Sequence, residues 1–257
     1  MESIFSFRDQ KVVVFGGSSG IGFATAKLLV QLQAEEVMIV GRNAEKLSIA
    51  EKALSALGTQ TRVSYGCVDL TEESSVQEFY ANFQDKSLNH IVVTAGSSAR
   101  LGNLVVNRRT ATEMKHQFDI KFFAQMAVVL NGHEKLVDGG SFVIFSGILA
   151  QRPGHGNTAL GAVNAALEGA VKGLANDLGF ARKIRINCIS PAFTDTPAYS
   201  RMDPQAKEAY MQKNKDSSPL GRVGQAEEIA SSVIHALLNP NMTGQVLIND
   251  SGSLVRP

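Results

Sequence analysis

Short apolar runs alternate with stretches of helical periodicity along most of the chain. Runs of strand length fall at residues 12–15, 37–40, 62–65, 90–94, 141–145, 184–189 and 245–248. Between the first of these, Ile21, Ala24, Thr25, Leu28, Leu29 and Leu32 recur at i, i+3, i+4 and i+7, and Leu47, Ala50, Leu54 and Leu57 do the same. Two longer stretches, 111–130 and 157–181, also read as helix. Strand and helix in regular alternation predict an α/β fold. The form expected is a Rossmann-type, doubly wound parallel sheet of about seven strands, with helices on both faces and right-handed crossovers. Such a sheet takes ligands beyond the carboxyl ends of its strands, where the strand order reverses. One irregular stretch stands out, from 191 to 224, broken by a short helix at 204–213. A connection that long in a compact domain reads as a lid-like insertion over a site.

Composition narrows the picture. At 257 residues the chain suits one domain spanning 1–257, within the size range of a single α/β core. Twenty-five basic and 24 acidic residues leave a net charge of +1, so no global field favours nucleic acid or an anionic membrane. Cys67 and Cys188, each within a strand-like run, read as reduced and buried, in keeping with a cytoplasmic protein. Residues 1–11 lack the apolar core of a secretion signal. Nowhere does an apolar run reach the length of about 18 residues expected of a membrane span. Nothing in the pattern calls for a metal.

Candidate chemistry begins at the first strand-to-helix turn, Gly16-Gly17-Ser18-Ser19-Gly20-Ile21-Gly22. A glycine-rich turn lets the backbone approach a pyrophosphate, whose charge is met by free N–H groups and the helix dipole. At the end of the second strand stands Gly41-Arg42-Asn43, where dinucleotide sites commonly place a carboxylate on the adenosine 2′-hydroxyl. A guanidinium there attracts a 2′-phosphate instead, which favours NADP(H) over NAD(H); the alternative is a solvated charge after a strand.

The spacing of Gly16, Gly20 and Gly22, together with Asn187-Cys188-Ile189-Ser190-Pro191 downstream, resembles the short-chain dehydrogenase/reductase superfamily. Pro219-Leu220-Gly221-Arg222-Val223-Gly224, Glu227-Glu228-Ile229-Ala230 and Thr243-Gly244-Gln245 extend that likeness over 11–252. The resemblance implies that Asp69, followed by Leu70, accepts from the adenine amino group, and that Ala95 and Gly96 wall the adenosine pocket. Asp69 is equally suited to capping the next helix. It further implies that the loop from Pro191 through Thr194 to Thr196 meets the nicotinamide and a phosphate, with Ala192 in place of the usual glycine.

The resemblance also locates four positions of chemistry, and all four are altered. The superfamily protonates its substrate oxygen with a Tyr, helped by a Lys four residues later, a Ser and an Asn. Here the Tyr place falls on Leu160, the Lys place on Asn164, the Ser place on Gly147 and the Asn place on Lys121. No tyrosine lies between Tyr80 and Tyr199, so a one-turn shift restores nothing. Three residues offer substitutes. Lys121 is an acid or ribose holder, or else a cation snorkelling outward. Ser146 sits one residue from the serine place and, on a strand, on the other face. His155, in the loop entering the last long helix, either donates a proton near neutral pH or lies on the surface.

Three functions fit. One is an atypical NADP(H)-dependent oxidoreductase acting on an apolar or conjugated substrate. Another is an inactive sensor of NADP(H) and an apolar ligand. The last is a structural partner of an active homologue. The resemblance implies a homo-oligomer, dimer or tetramer, built through the helices of 111–130 and 157–181.

Overall fold

The computed structural model describes residues 6–96, 101–200 and 202–255; the first five residues of the stretch read as lacking a secretion signal lie outside it. Seven parallel strands form one sheet in the order β3-β2-β1-β4-β5-β6-β9. They are β1 (Lys11–Phe15), β2 (Glu36–Gly41), β3 (Arg62–Cys67), β4 (Leu88–Val93), β5 (Leu136–Phe145), β6 (Arg185–Pro191) and β9 (Val246–Asn249). The order reverses between β1 and β4, so the crevice opens at the carboxyl ends of those two strands.

Alternation along each strand sends side chains to two cores. Val12, Val14 and Ile39 face α1 (Gly20–Gln31), α2 (Ala44–Ser55) and α8 (Ala226–Leu238), where Leu29, Leu47 and Val233 are fully buried. Val13, Phe15 and Ile144 face the opposite layer, which holds α3 (Glu73–Ala81), α5 (Ala124–Gly132) and α6 (Thr158–Arg182) and buries Tyr80, Val128 and Leu167. Each such side chain contributes roughly 1.5–3 kcal/mol by leaving water. Where both faces are covered, as along β1 and the second half of β5, the strands read as continuous apolar runs. Among the described residues no helix is long and apolar enough to cross a membrane.

The stretch read as one helix over 111–130 is two. α4 (Ala111–Phe118) opens on a capping box between Thr110 and Glu113, then gives way to a π-helical turn at Asp119–Phe123 before α5 resumes. A π-turn inserts one residue into the helical ladder and is common at functional sites. Lys121 is at its centre. The insertion at 191–224 is more ordered than its polar sequence suggested. It contains β7 (Thr194–Asp195) paired with β8 (Gly224–Gln225), and α7 (Pro204–Asp216), which is started by Asp203 accepting from Ala206 N–H. Phe193 packs on Tyr199 and Tyr210 with ring centroids 4.7 and 4.9 Å away, and Lys207 pairs with Asp195 at 3.1 Å. Cys188 is buried as expected, whereas Cys67 is exposed. It closes an edge strand that no neighbour covers on its outer side, which the apolar run alone did not reveal.

Candidate active site

The turn from β1 into α1 is built by backbone geometry that requires glycine. Gly16 and Gly20 have φ of +83° and +55°, conformations that a side chain penalises. A Cβ on Gly22 would lie 2.3 Å from the carbonyl oxygen of Gly16 and 2.6 Å from Thr94 Oγ1. Thr94 in turn donates to the Phe15 carbonyl at 2.9 Å, so the end of β4 props the turn from beneath. Ser19 is the N-cap of α1 but its side chain makes no capping bond, and no acidic residue occupies the first turn. Ser18 is half-buried and Ile21 packs partly against the core. The result is a cradle of unpartnered N–H groups with a positive dipole end, which fits a dinucleotide pyrophosphate.

Around this cradle the other expected residues take varied roles. Arg42 is exposed just beyond β2. Asp69 accepts from the N–H and hydroxyl of Thr71 at 3.0 and 2.8 Å. The backbone bond from Thr71 is the main reason its carboxyl lies below the usual range, with Arg42 adding a smaller pull. Asp69 does not cap α3, whose N-cap is Glu72; it closes the turn ahead of it. Leu70 packs against the core. Asn43 caps α2, accepting from Lys46 N–H at 2.9 Å. Thr194 is buried and donates to the Ala192 carbonyl at 3.1 Å, while a Cβ on Gly20 would meet Thr196 at 3.3 Å, so Thr196 overhangs the cradle. Ala95 and Gly96 follow β4, and a Cβ on Gly96 would approach Lys121 Cγ to 3.3 Å. Gly96 is thus where the cradle side of the crevice meets the side formed by α6 and the π-turn.

On that second side, Lys121 points inward. Its Nζ donates to Asn164 Oδ1 at 2.6 Å and to the Ser146 carbonyl at 3.1 Å. Asn164 donates from Nδ2 to the Gly147 carbonyl at 3.2 Å. Lysine and asparagine therefore pair across the crevice, each at the place the resemblance gives to the other. A Cβ on Gly147 would come within 3.0 Å of Asn164 Nδ2 and 3.5 Å of the Pro191 carbonyl, so the missing side chain at 147 makes room for the asparagine. Leu160 lies one turn before Asn164 on the same face of α6. Burial pulls the Lys121 amine down to about 8, opposed only by the Cys188 sulfur. Burial likewise pushes the Cys188 thiol up to about 12, so at neutral pH it carries no counter-charge.

The Ser146 hydroxyl is engaged by a carboxylate. β5 ends at Phe145, and the Ser146 hydroxyl turns to Glu168 Oε1 at 2.8 Å. Ser190 donates to the same oxygen at 3.0 Å, and Gln151 to Oε2 at 2.6 Å. No motif marked Glu168; its only sign was its place two turns after Leu160 and one after Asn164 on one helix face. The carboxylate ties the ends of β5 and β6 to α6 and fixes the Ser146 carbonyl toward Lys121. Gln125, fully buried, adds a second tie by exchanging two bonds with the Phe145 backbone, both at 2.9 Å. His155 is exposed and its ring pairs with Asn103 at 2.9 Å, a contact within the outer loops. The tyrosines lie elsewhere: Tyr80 is buried beside Gly132, Tyr65 is on β3, and Tyr199 and Tyr210 stack on Phe193.

Comparison with known proteins places this geometry. The family described as Enoyl-(Acyl carrier protein) reductase matches residues 16–253. A human 3-oxoacyl-[acyl-carrier-protein] reductase is 31% identical over 249 residues, 95% of this chain and 98% of its own. Carbonyl reductase family member 4 of Xenopus laevis is 30% identical over 243 residues, 93% of this chain and 95% of its own. Among solved structures, a small-chain dehydrogenase in complex with NADPH is 32% identical with a TM-score of 0.79, covering 97% of this chain and 100% of that one. The MalC Reductase/Diels-Alderase from Malbranchea aurantiaca is 26% identical with a TM-score of 0.88, covering 99% and 100%. A glycine cradle at the β1–β4 switch point, the seven-stranded order and a match over nearly the whole chain lead to one conclusion: the chain belongs to the short-chain dehydrogenase/reductase superfamily.

Proposed function

We propose that the protein is an NADP(H)-dependent oxidoreductase that reduces an apolar, conjugated substrate without the Tyr and Lys acid of its relatives. The observation that carries this reading is the Lys121–Asn164 pair at 2.6 Å, with leucine at 160 and glycine at 147 beside it. Gly16, Ser18, Ser19, Gly20, Ile21 and Gly22 would hold the pyrophosphate, and Arg42 the 2′-phosphate, whose charge suits a guanidinium. NADPH is the ligand named for the 32% identical neighbour, which supports the same cofactor here. When bound, it would supply a hydride.

Reduction of a simple ketone leaves an alkoxide that needs a positioned acid, a contribution of about 10²- to 10⁴-fold. Leucine at 160 offers none. Hydride addition to a conjugated double bond instead leaves a delocalised anion, which a nearby ammonium stabilises and water protonates. Leu160 would present an apolar side chain where the relatives place a hydroxyl, as such a substrate requires, while the space at Gly147 is taken by Asn164. The test is to follow NADPH absorbance with enones, quinones and simple ketones in turn. Turnover of the conjugated compounds alone is the expected result. Ketone turnover at rates ordinary for the superfamily would overturn the reading, and NADPH binding without any turnover would favour a sensor. Phe123, Leu130 and Phe180 are 54%, 58% and 84% exposed on the two long helical stretches. We infer that they meet a second copy of the chain in a dimer or tetramer, which light scattering checks.

A further inference from the structure

We propose that Lys121 is a nucleophile that condenses reversibly with the carbonyl of an α,β-unsaturated aldehyde or ketone, so that the substrate is held and activated as a lysine iminium. This rests on the reading above that the crevice takes conjugated substrates, and adds covalent chemistry to it.

Bond counting carries the argument. A neutral amine has two N–H bonds and one lone pair. Lys121 Nζ has two acceptors, the Asn164 amide oxygen and the Ser146 carbonyl, at 2.6 and 3.1 Å. In the neutral form both N–H bonds are used and the lone pair remains, whereas in the ammonium form a third N–H is left with no acceptor among the described residues. A structural ammonium would call for a carboxylate partner, and among the described residues Lys121 makes no ion pair. Glu168, which bonds the Ser146 hydroxyl, is occupied by Ser146, Ser190 and Gln151. Desolvated amines without a counter-ion are the nucleophiles of Schiff-base chemistry. As a residue Lys121 is half-buried although its amine is desolvated, and its stem lies beside Gly96, where the two sides of the crevice meet.

The condensation balances as follows. The neutral amine nitrogen bonds to the carbonyl carbon; the carbonyl oxygen takes one proton from that nitrogen and one from solvent, and leaves as water, so the nitrogen keeps one N–H and the positive charge. The product is a conjugated iminium cation. In that cation the β-carbon accepts a hydride with no proton needed at oxygen, which removes the requirement that Leu160 cannot meet. The enamine so formed takes a proton from water at its α-carbon, and hydrolysis of the resulting iminium restores the amine and a carbonyl whose oxygen comes from water.

The experiment uses the cofactor-free protein with cinnamaldehyde as probe. Sodium cyanoborohydride traps any iminium as a stable secondary amine, and peptide mass mapping locates it. Lys121 is expected to be modified about 10²-fold faster than surface lysines, the ratio of neutral amine between a pKa near 8 and the ordinary lysine value. In heavy-oxygen water the protein should also accelerate exchange of the cinnamaldehyde oxygen. Lys121→Arg should lose both signals. If that variant fails to fold, Asn164→Asp serves in its place, because a carboxylate beside the amine keeps it protonated and should suppress trapping by at least about tenfold. Trapping spread evenly over other lysines, or absence of oxygen exchange, would overturn the proposal. NADPH consumption with enones but no adduct would sink the covalent step alone, whereas an adduct at Lys121 without NADPH consumption would sink the reductase reading alone.

Discussion

The two sides of the crevice meet at Gly96 and differ in what holds them. The cradle side is made of backbone: positive-φ glycines, a free helix terminus, and Thr94 bonded beneath it. The α6 side is made of side chains: Lys121, Asn164, Ser146 and Glu168, joined in a hydrogen-bonded set. A backbone site tolerates almost no substitution, because a Cβ at Gly16 or Gly22 would collide with main-chain atoms. Hydrogen-bonded side chains can exchange positions, provided every buried group still finds a partner. On the proposed function, binding and chemistry are separable in this fold, since one is written in glycines and the other in replaceable polar groups.

The largest expected effect comes from rewriting the replaceable side. The combined variant Lys121→Asn, Gly147→Ser, Leu160→Tyr, Asn164→Lys should raise ketone reduction by about 10²- to 10⁴-fold, the worth of a positioned acid. Leu160→Tyr alone should gain almost nothing, since the cation of the site, Lys121, is held by Asn164 and the Ser146 carbonyl and does not stand four residues after position 160 on α6. A single-site gain equal to the combined one would show that the polar set matters little. Next in size, Gly22→Ala should destabilise the turn by about 1–3 kcal/mol, the usual cost of overpacking, and weaken NADPH binding at least about tenfold by calorimetry. Unchanged affinity would break the contrast between the sides.

Lys121 adds a pH signature. Its folded-state pKa, about 8, lies below the ordinary lysine value, so between the two the unfolded chain binds more protons. Stability attributable to this residue therefore rises with pH from about 8 to about 10.4, by about 1–3 kcal/mol, and is absent below that window. Denaturant titrations of the wild type and Lys121→Met across the window should diverge at the acid end, where the variant is the more stable, and converge at the alkaline end. Parallel curves would mean that the amine is not desolvated. The smallest effect is expected at Arg42→Ala, which should remove a preference of about tenfold for NADPH over NADH while leaving NADH binding unchanged.

Much of this was legible in residue order. Apolar runs matched the strands of the main sheet because the central strands, β1, β2, β4, β5 and β6, are largely covered on both faces; the edge strands β3 and β9 are only partly buried. The glycine turn was legible for the same kind of reason: only glycine adopts its conformations cheaply. Spacing also singled out Lys121, Gly147, Leu160 and Asn164, of which the structure brings Lys121 and Asn164 to 2.6 Å. Spacing did not show that Lys121 faces inward, because side-chain direction there depends on a π-turn that periodicity does not register. Glu168 was missed because its role depends on Ser146, Ser190 and Gln151 arriving from three separate segments. Cys67 was misread because an apolar run does not distinguish an edge strand from a central one.

The most direct measurement is a paired experiment on one sample: calorimetric titration with NADPH, followed by NADPH oxidation with a simple ketone and with an enone of matched size. Saturable binding, enone turnover and ketone inactivity are the predicted result. Comparable turnover of both substrates would contradict the account.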